Sequence, residues 1–138
     1  MEQKRISELS EIARKVRIGV VDAVYSAASG HPGGSLSSAD ILTYLYFEEM
    51  NIDPAAPDMA DRDRLVLSKG HASPVLYSAL ANRGYFPVEE LKTFRKADSR
   101  LQGHPDLKKV PGVDMTTGSL GQGVSAACGM ALAAKLDG

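Results

Sequence analysis

Three histidines are the residues of this sequence best suited to do chemistry, and each directly follows a glycine. They are His31, His71 and His104, and two of them continue as Gly-His-Pro. An imidazole can donate, accept or carry a proton near neutral pH, and a neighbouring glycine lets a ligand approach the backbone. Three such pairs in separate loops predict one shared pocket; the alternative is three unrelated surface turns.

Metal, cysteine and phosphate-loop chemistry are less well supported. The histidines lie far apart in the sequence, and no His-x-x-His or Cys-x-x-Cys pair exists, which disfavours a three-histidine metal site. Cys128, the single cysteine, lies in a stretch of small residues and is expected to pack rather than to react. Residues 118–123, Gly-Ser-Leu-Gly-Gln-Gly, could turn backbone N–H groups toward a polar ligand, but they match neither the phosphate-loop nor the dinucleotide-binding pattern.

Length and charge exclude several classes of protein. The 138 residues are the size of one domain, and 43% are hydrophobic, which is enough for a core. Sixteen Lys and Arg against seventeen Asp and Glu argue against binding nucleic acid by phosphate neutralisation. The N-terminal 17 residues hold no apolar signal-peptide core, and no apolar run approaches the roughly 18 residues of a membrane span. A soluble cytoplasmic protein is the default expectation.

Periodicity predicts a mostly helical chain with one or two short strands. The predicted helices cover about 7–29, 37–50, 73–84, 87–96 and 120–136, with residues 30–35 irregular, 53–63 a surface loop and 65–67 a buried strand. Ser7 or Ser10 is the predicted cap of the first helix. The last helix is apolar around most of its circumference, so we expect it to be packed between other elements. Because a lone strand cannot satisfy its own hydrogen bonds, the remaining sheet is expected beyond Gly138 or on a partner.

Four stretches taken together resemble the N-terminal part of transketolase, a thiamine-diphosphate enzyme. They are Ser-Gly-His-Pro-Gly-Gly-Ser at 29–35, Asp-Arg-Asp-Arg-Leu-Val-Leu-Ser-Lys-Gly-His at 61–71, Leu-Gln-Gly-His-Pro at 101–105 and Thr-Thr-Gly-Ser-Leu-Gly-Gln-Gly at 116–123. Their order and spacing fit from about residue 10 to the end. Ser119 stands where large single-chain transketolases usually have Pro. With Ser-Lys-Gly-His, it looks more like the split type, which a separate C-terminal subunit completes.

The resemblance implies a role for each matching residue. His31, His71 and His104 would line the substrate channel, hydrogen-bond sugar hydroxyls and the carbonyl, and help move protons. His71 would also reach the cofactor diphosphate, and His104 would lie near the reacting carbon. Gly118, Ser119 and Leu120 would line the cofactor site. Family chemistry is transfer of a two-carbon ketol unit from a ketose phosphate to an aldose phosphate, a reaction of the pentose phosphate pathway.

The resemblance also implies an α/β fold with a parallel sheet sandwiched by helices, and an incomplete one. The family's Mg²⁺ ligands, a Gly-Asp-Gly strand end and a later Asn, would lie beyond residue 138, and the carboxylate that activates the cofactor lies in the C-terminal half. Residues 1–138 are therefore interpreted as a single incomplete thiamine-diphosphate-binding domain, inactive alone. The implied partners are a transketolase C-terminal subunit and sugar phosphates, within a homodimer or heterotetramer.

Two other functions fit parts of the pattern. One is a related thiamine-diphosphate enzyme, either a synthase acting on pyruvate and a triose phosphate or a dehydrogenase component. The Gly-His-Pro-Gly-Gly and Leu-Gln-Gly-His-Pro motifs favour transketolase over both. The other is a non-catalytic binding module that kept the motifs but lost the cofactor site.

Overall fold

The computed structural model of the protein describes residues 2–138, and it is built from helices joined by irregular segments. The α-helices are α1 (Gln3–Ala27), α2 (Pro32–Leu36), α3 (Ala39–Tyr44), α4 (Ser73–Arg83) and α5 (Gln122–Asp137). A π-helical turn, Leu45–Glu49, continues α3, and two 3₁₀ turns cover Gly70–Ala72 and Val88–Thr93. The mostly helical character predicted from the sequence is confirmed.

Helix α4 is the centre of the core. Its residues from Ser73 to Ala81 are all buried, and α1, α3 and the 3₁₀ turn Val88–Thr93 pack around it. The contact with α1 is close, since the buried Ser78 hydroxyl donates to the Val16 carbonyl over 2.8 Å. As predicted, α4 begins with a proline in its first turn and ends at Gly84, whose φ of +105° suits a residue without a Cβ.

Two local predictions near α1 are wrong. Neither Ser7 nor Ser10 caps the helix: both lie inside it, and their hydroxyls donate to carbonyls four residues earlier. The segment 30–35 is not wholly irregular, because Pro32 starts the short helix α2. Proline is tolerated at that position because the first N–H groups of a helix have no intrahelical acceptor.

The predicted strand at 65–67 does not form, and none of the residues from 2 to 138 is in a strand. The N–H of Leu65 donates to the side chain of Asp114 over 2.7 Å instead of to a neighbouring strand. A strand requires a second extended segment to pair with. The expectation of one or two strands in this stretch is therefore wrong.

Helix α5 forms where predicted but is not packed between other elements. Gly123 is its one buried residue, and Leu132 and Leu136 are 64% and 87% exposed. Cys128 is exposed as well, so the packing role expected for it is not observed. Large apolar side chains of α5 are therefore exposed to solvent in this chain. Across residues 2–138, no helix is both long and apolar enough to cross a membrane.

Candidate functional site

The structure brings His31 and His71 into direct contact. Their ring centroids lie 5.1 Å apart and the rings meet edge to face at 78°. His31 directly precedes α2, and His71 lies in the 3₁₀ turn that leads into α4. His31 is exposed and His71 is half-buried, so both rings border solvent on the same side of the molecule.

Lys69 joins the two segments that carry these histidines. Its ammonium group donates to the Gly34 carbonyl over 2.6 Å and to the Ser37 hydroxyl over 3.2 Å. A Cβ at Gly34 would lie 3.5 Å from His71 Nε2, so this glycine leaves open the space beside the ring. The backbone around α2 and the turn before α4 are thereby held at a fixed separation.

The loop of His104 is held by side chains at the start of α4. The Tyr77 hydroxyl donates toward the carbonyls of Gln102 and His104 at 2.9 and 3.0 Å, and the Ser73 hydroxyl donates to the Gly103 carbonyl over 2.9 Å. Burial raises the pKa of the Tyr77 phenol above its ordinary value, so this hydroxyl stays a donor throughout the physiological range. The loop is anchored while the ring of His104 is exposed.

His104 lies against the loop that precedes α5 rather than against the other two histidines. A Cβ at Gly118 would lie 3.7 Å from His104 Cδ2, whereas the ring contact that joins His31 and His71 does not include His104. Gly118, Ser119 and Leu120, the predicted cofactor-lining residues, are all exposed.

Thr117 connects the His104 loop to the turn of His71. Thr117 is buried, and a Cβ at Gly70 would lie 2.5 Å from its carbonyl oxygen, so the two backbones are in close contact. Gly70 immediately precedes His71, and Thr117 immediately precedes Gly118, which faces His104. The four predicted motifs thus meet in one region of the surface, which we call the histidine–glycine site: residues 31–34, 69–71, 103–104 and 117–120.

Asp114 fixes the segment that leads into this site. Its carboxylate, in a side chain only 1% exposed, accepts hydrogen bonds from Arg62 Nη2 at 2.5 Å and from the Leu65 N–H at 2.7 Å, and Arg64 lies 3.4 Å away. Burial by itself lowers the pKa of Arg62, but the hydrogen bond and charge of Asp114 outweigh that effect and raise it. Sequence periodicity gave no signal for this buried ion pair.

The charges in the histidine–glycine site are sparse. No group of three or more His, Cys, Asp or Glu able to hold a metal ion occurs within the described part of the chain. The polar groups that border the site are imidazoles, hydroxyls, the Lys69 ammonium and backbone amides. Such a donor set suits an anionic ligand that also carries hydroxyl groups.

Comparison with known families identifies the class of protein. Residues 9–137 match the family described as "Transketolase, thiamine diphosphate binding domain". The match covers nearly the whole chain, and the chain belongs to this family. The resemblance read from the four motifs is confirmed.

Individual relatives agree with the family match. The 6-deoxy-6-sulfo-D-fructose transketolase subunit SqwG of Clostridium sp. (strain MSTE9) is 50% identical over 130 residues, 94% of this chain and 47% of that protein. Transketolase 1 of Escherichia coli (strain K12) is 47% identical over 131 residues, 94% of this chain and 20% of that protein. Among solved structures, the Pichia stipitis transketolase in complex with sedoheptulose-7-phosphate superposes with a TM-score of 0.86 at 44% identity, covering 91% of this chain and 18% of that one.

These figures set the scope of the match. The chain spans about half the length of the clostridial subunit and about a fifth of the single-chain transketolases. Over the 91% of this chain that superposes, its fold is that of the matching segment of the solved transketolase.

Proposed function

We propose that this chain is the N-terminal part of a transketolase that transfers a two-carbon ketol unit from a ketose phosphate to an aldose phosphate. The observation that carries the proposal is the histidine–glycine site, in which His31 and His71 touch and His104 faces Gly118. Imidazoles can donate and accept the protons that move on and off sugar oxygens during ketol transfer. The glycines beside them leave room for a ligand, and the reaction requires no protein nucleophile.

The site fits thiamine diphosphate on structural grounds. Gly34 leaves space beside the His71 ring, and Gly118 leaves space beside the His104 ring. A side chain at either position would occupy that space, so a ligand can lie against the backbone there. The surrounding donors suit a diphosphate and neutral sugar hydroxyls. Ser119 and Leu120 are exposed at the same place and free to contact a bound group. When bound, thiamine diphosphate supplies the nucleophilic carbon and the electron sink.

The chain's own residues would bind, orient and exchange protons. His31 and His71 would hydrogen-bond substrate hydroxyls, with His71 also reaching the cofactor diphosphate. His104 would hold or deliver a proton at the oxygen of the reacting carbonyl. The anchored loop of His104 supports this role, because an exposed ring on a fixed backbone can face a substrate without reorganisation.

The remaining features of the proposal concern the whole enzyme. The enzyme would have an α/β thiamine-diphosphate-binding fold, of which residues 1–138 form an incomplete part, and its Mg²⁺ ligands would lie outside these residues. Its partner would be a C-terminal transketolase subunit, in a homodimer or heterotetramer. It would act in the cytoplasm, in the pentose phosphate pathway. The exposed apolar surface of α5 supports further packing partners for this segment. The chain's 47% coverage of a relative that is itself named a subunit supports the split type.

A matched set of ketose donors tests the proposal. The assembled enzyme containing this chain is incubated with thiamine diphosphate, Mg²⁺ and an aldose phosphate, and product is measured with xylulose 5-phosphate, fructose 6-phosphate or 6-deoxy-6-sulfofructose as donor. The sulfosugar is included because the clostridial relative at 50% identity is named for it. We expect cofactor-dependent transfer from a ketose phosphate. Transfer from the sulfosugar alone would show that the donor is a sulfosugar and not a ketose phosphate. No transfer from any donor would refute the proposal.

A substitution at His104 separates proton transfer from cofactor binding. In the assembled enzyme, His104→Ala is expected to lower kcat by roughly 10²–10⁴-fold, the range typical of general acid–base residues. The apparent affinity for thiamine diphosphate should change much less, because in this proposal His104 acts at the reacting carbonyl and not on the cofactor diphosphate. His104→Gln keeps a hydrogen-bonding group without the titrating proton, so partial activity in that variant would indicate orientation as the main role. Equal losses of kcat and cofactor affinity would contradict the assignment.

A further inference from the structure

Arg95 has a backbone conformation that is unusual for its residue type. Its φ is +61°, in the left-handed region, which is strained for a residue with a Cβ. Its N–H donates to the Leu101 carbonyl over 2.8 Å, which helps hold it there. Strained residues of this kind persist where the surroundings fix them, and they cluster at functional sites.

The guanidinium group of Arg95 lies between two loops of the histidine–glycine site. Its Nη1 donates to the Ser29 hydroxyl over 2.7 Å, and a Cβ at Gly103 would lie 3.0 Å from its Nε and Nη2. Ser29 is two residues before His31, and Gly103 directly precedes His104. One planar group therefore donates to a side chain two residues before His31 and lies in the space beside the glycine that precedes His104.

The hydrogen bond to Ser29 satisfies only part of this guanidinium group. The buried Nε of Arg95 has no acceptor, and a buried donor without a partner is destabilising. The ring of Phe94 lies 5.5 Å from the guanidinium carbon and covers one side of the group. Arg95 therefore combines a strained backbone with an unsatisfied donor, and both oppose stability at a residue that lies beside the loops of His31 and His104.

We propose that Arg95 is a positioning residue for ketol transfer, which holds the loops of His31 and His104 at a fixed separation. This inference rests on the proposed function. The rigid guanidinium fork contacts Ser29 with one nitrogen while its other nitrogens fill the space beside Gly103. A lysine has a single flexible ammonium group and cannot maintain both contacts.

Kinetics of the assembled enzyme test the proposal with Arg100 as the matched control. Arg100 donates to Glu90 through two nitrogens at 2.9 Å each and lies over the Phe86 ring, and these contacts include neither Ser29 nor Gly103. Arg95→Lys is expected to lower kcat roughly tenfold or more, since small displacements of catalytic groups are costly. The KM for thiamine diphosphate should stay within about twofold, and Arg100→Lys should leave kcat near the wild-type value.

Two further measurements separate positioning from folding and from the proposed function. Ser29→Ala should lower kcat, and Ser29→Thr, which keeps the hydroxyl, should restore it. A crystal structure of the Arg95→Lys enzyme should show the His104 ring displaced relative to His31. Unchanged ring positions, or a kcat for Arg95→Lys equal to that of Arg100→Lys, would overturn the positioning role. If the wild-type enzyme transfers no ketol unit, the proposed function fails and the ring positions alone decide the role of Arg95.

Discussion

Replacing Asp114 with alanine is expected to lower the free energy of unfolding of this chain by about 3–5 kcal/mol, the usual cost of removing one partner of a buried ion pair. The carboxylate is almost completely buried and accepts from Arg62 and from the Leu65 N–H. Without it, the Arg62 guanidinium, whose side chain is 7% exposed, remains buried without its counter-charge. Urea unfolding followed by circular dichroism measures the change.

Two variants make the Asp114 prediction specific. Asp114→Asn can still accept from the Leu65 N–H but carries no charge, so it should recover on the order of 1 kcal/mol relative to alanine. Glu11→Ala removes an exposed ion pair with Arg14 on α1 and should leave the unfolding midpoint nearly unchanged. An Asp114→Ala midpoint that matches the Glu11→Ala midpoint would show that the buried pair does not stabilise the fold.

Most of the helices were predictable from the sequence because their signals are local, although the helix predicted at 87–96 is only the 3₁₀ turn Val88–Thr93. The three- and four-residue spacing of Val16, Val20 and Ala23 gives the buried face of α1, and Gly84 ends α4. The helix cap and the start of α2 are local errors, whereas the missing strand depends on long-range contacts. The apolar run at 65–67 has the composition of a strand, but pairing depends on a second strand, and its first N–H bonds to a side chain 49 residues away.

The candidate site was predictable in its residue types but not in its geometry. Glycine–histidine pairs marked three of the loops, and the contact between His31 and His71 agrees with convergence on one region. The sequence did not indicate that His104 would face Gly118 rather than the other rings. It also gave no sign of Lys69 as the link between the first two loops, because its acceptors, the Gly34 carbonyl and the Ser37 hydroxyl, lie more than 30 residues away.

The largest functional effect outside the histidines is expected from Gly70→Ala in the assembled enzyme. The new Cβ would lie 2.5 Å from the Thr117 carbonyl oxygen and 2.7 Å from its hydroxyl, distances that real structures do not contain. Because the new Cβ would clash with backbone atoms of Thr117, the segment from Thr117 to Gly118 must shift away from the turn of His71. That shift moves the open space beside His104, so kcat/KM for ketol transfer should fall on the order of 100-fold.

The same substitution should also destabilise the chain, by about 1–3 kcal/mol as for overpacked cores, so activity is compared at a temperature where the variant remains folded. Gly129→Ala is the matched stability control for the isolated chain: it lies in α5 with open space beside it, and alanine there should stabilise the helix by up to about 1 kcal/mol. The decisive measurement is kcat/KM per folded enzyme, with the folded fraction taken from circular dichroism. A Gly70→Ala enzyme as active as the wild type would mean that the contact between Gly70 and Thr117 does not set the geometry of the site.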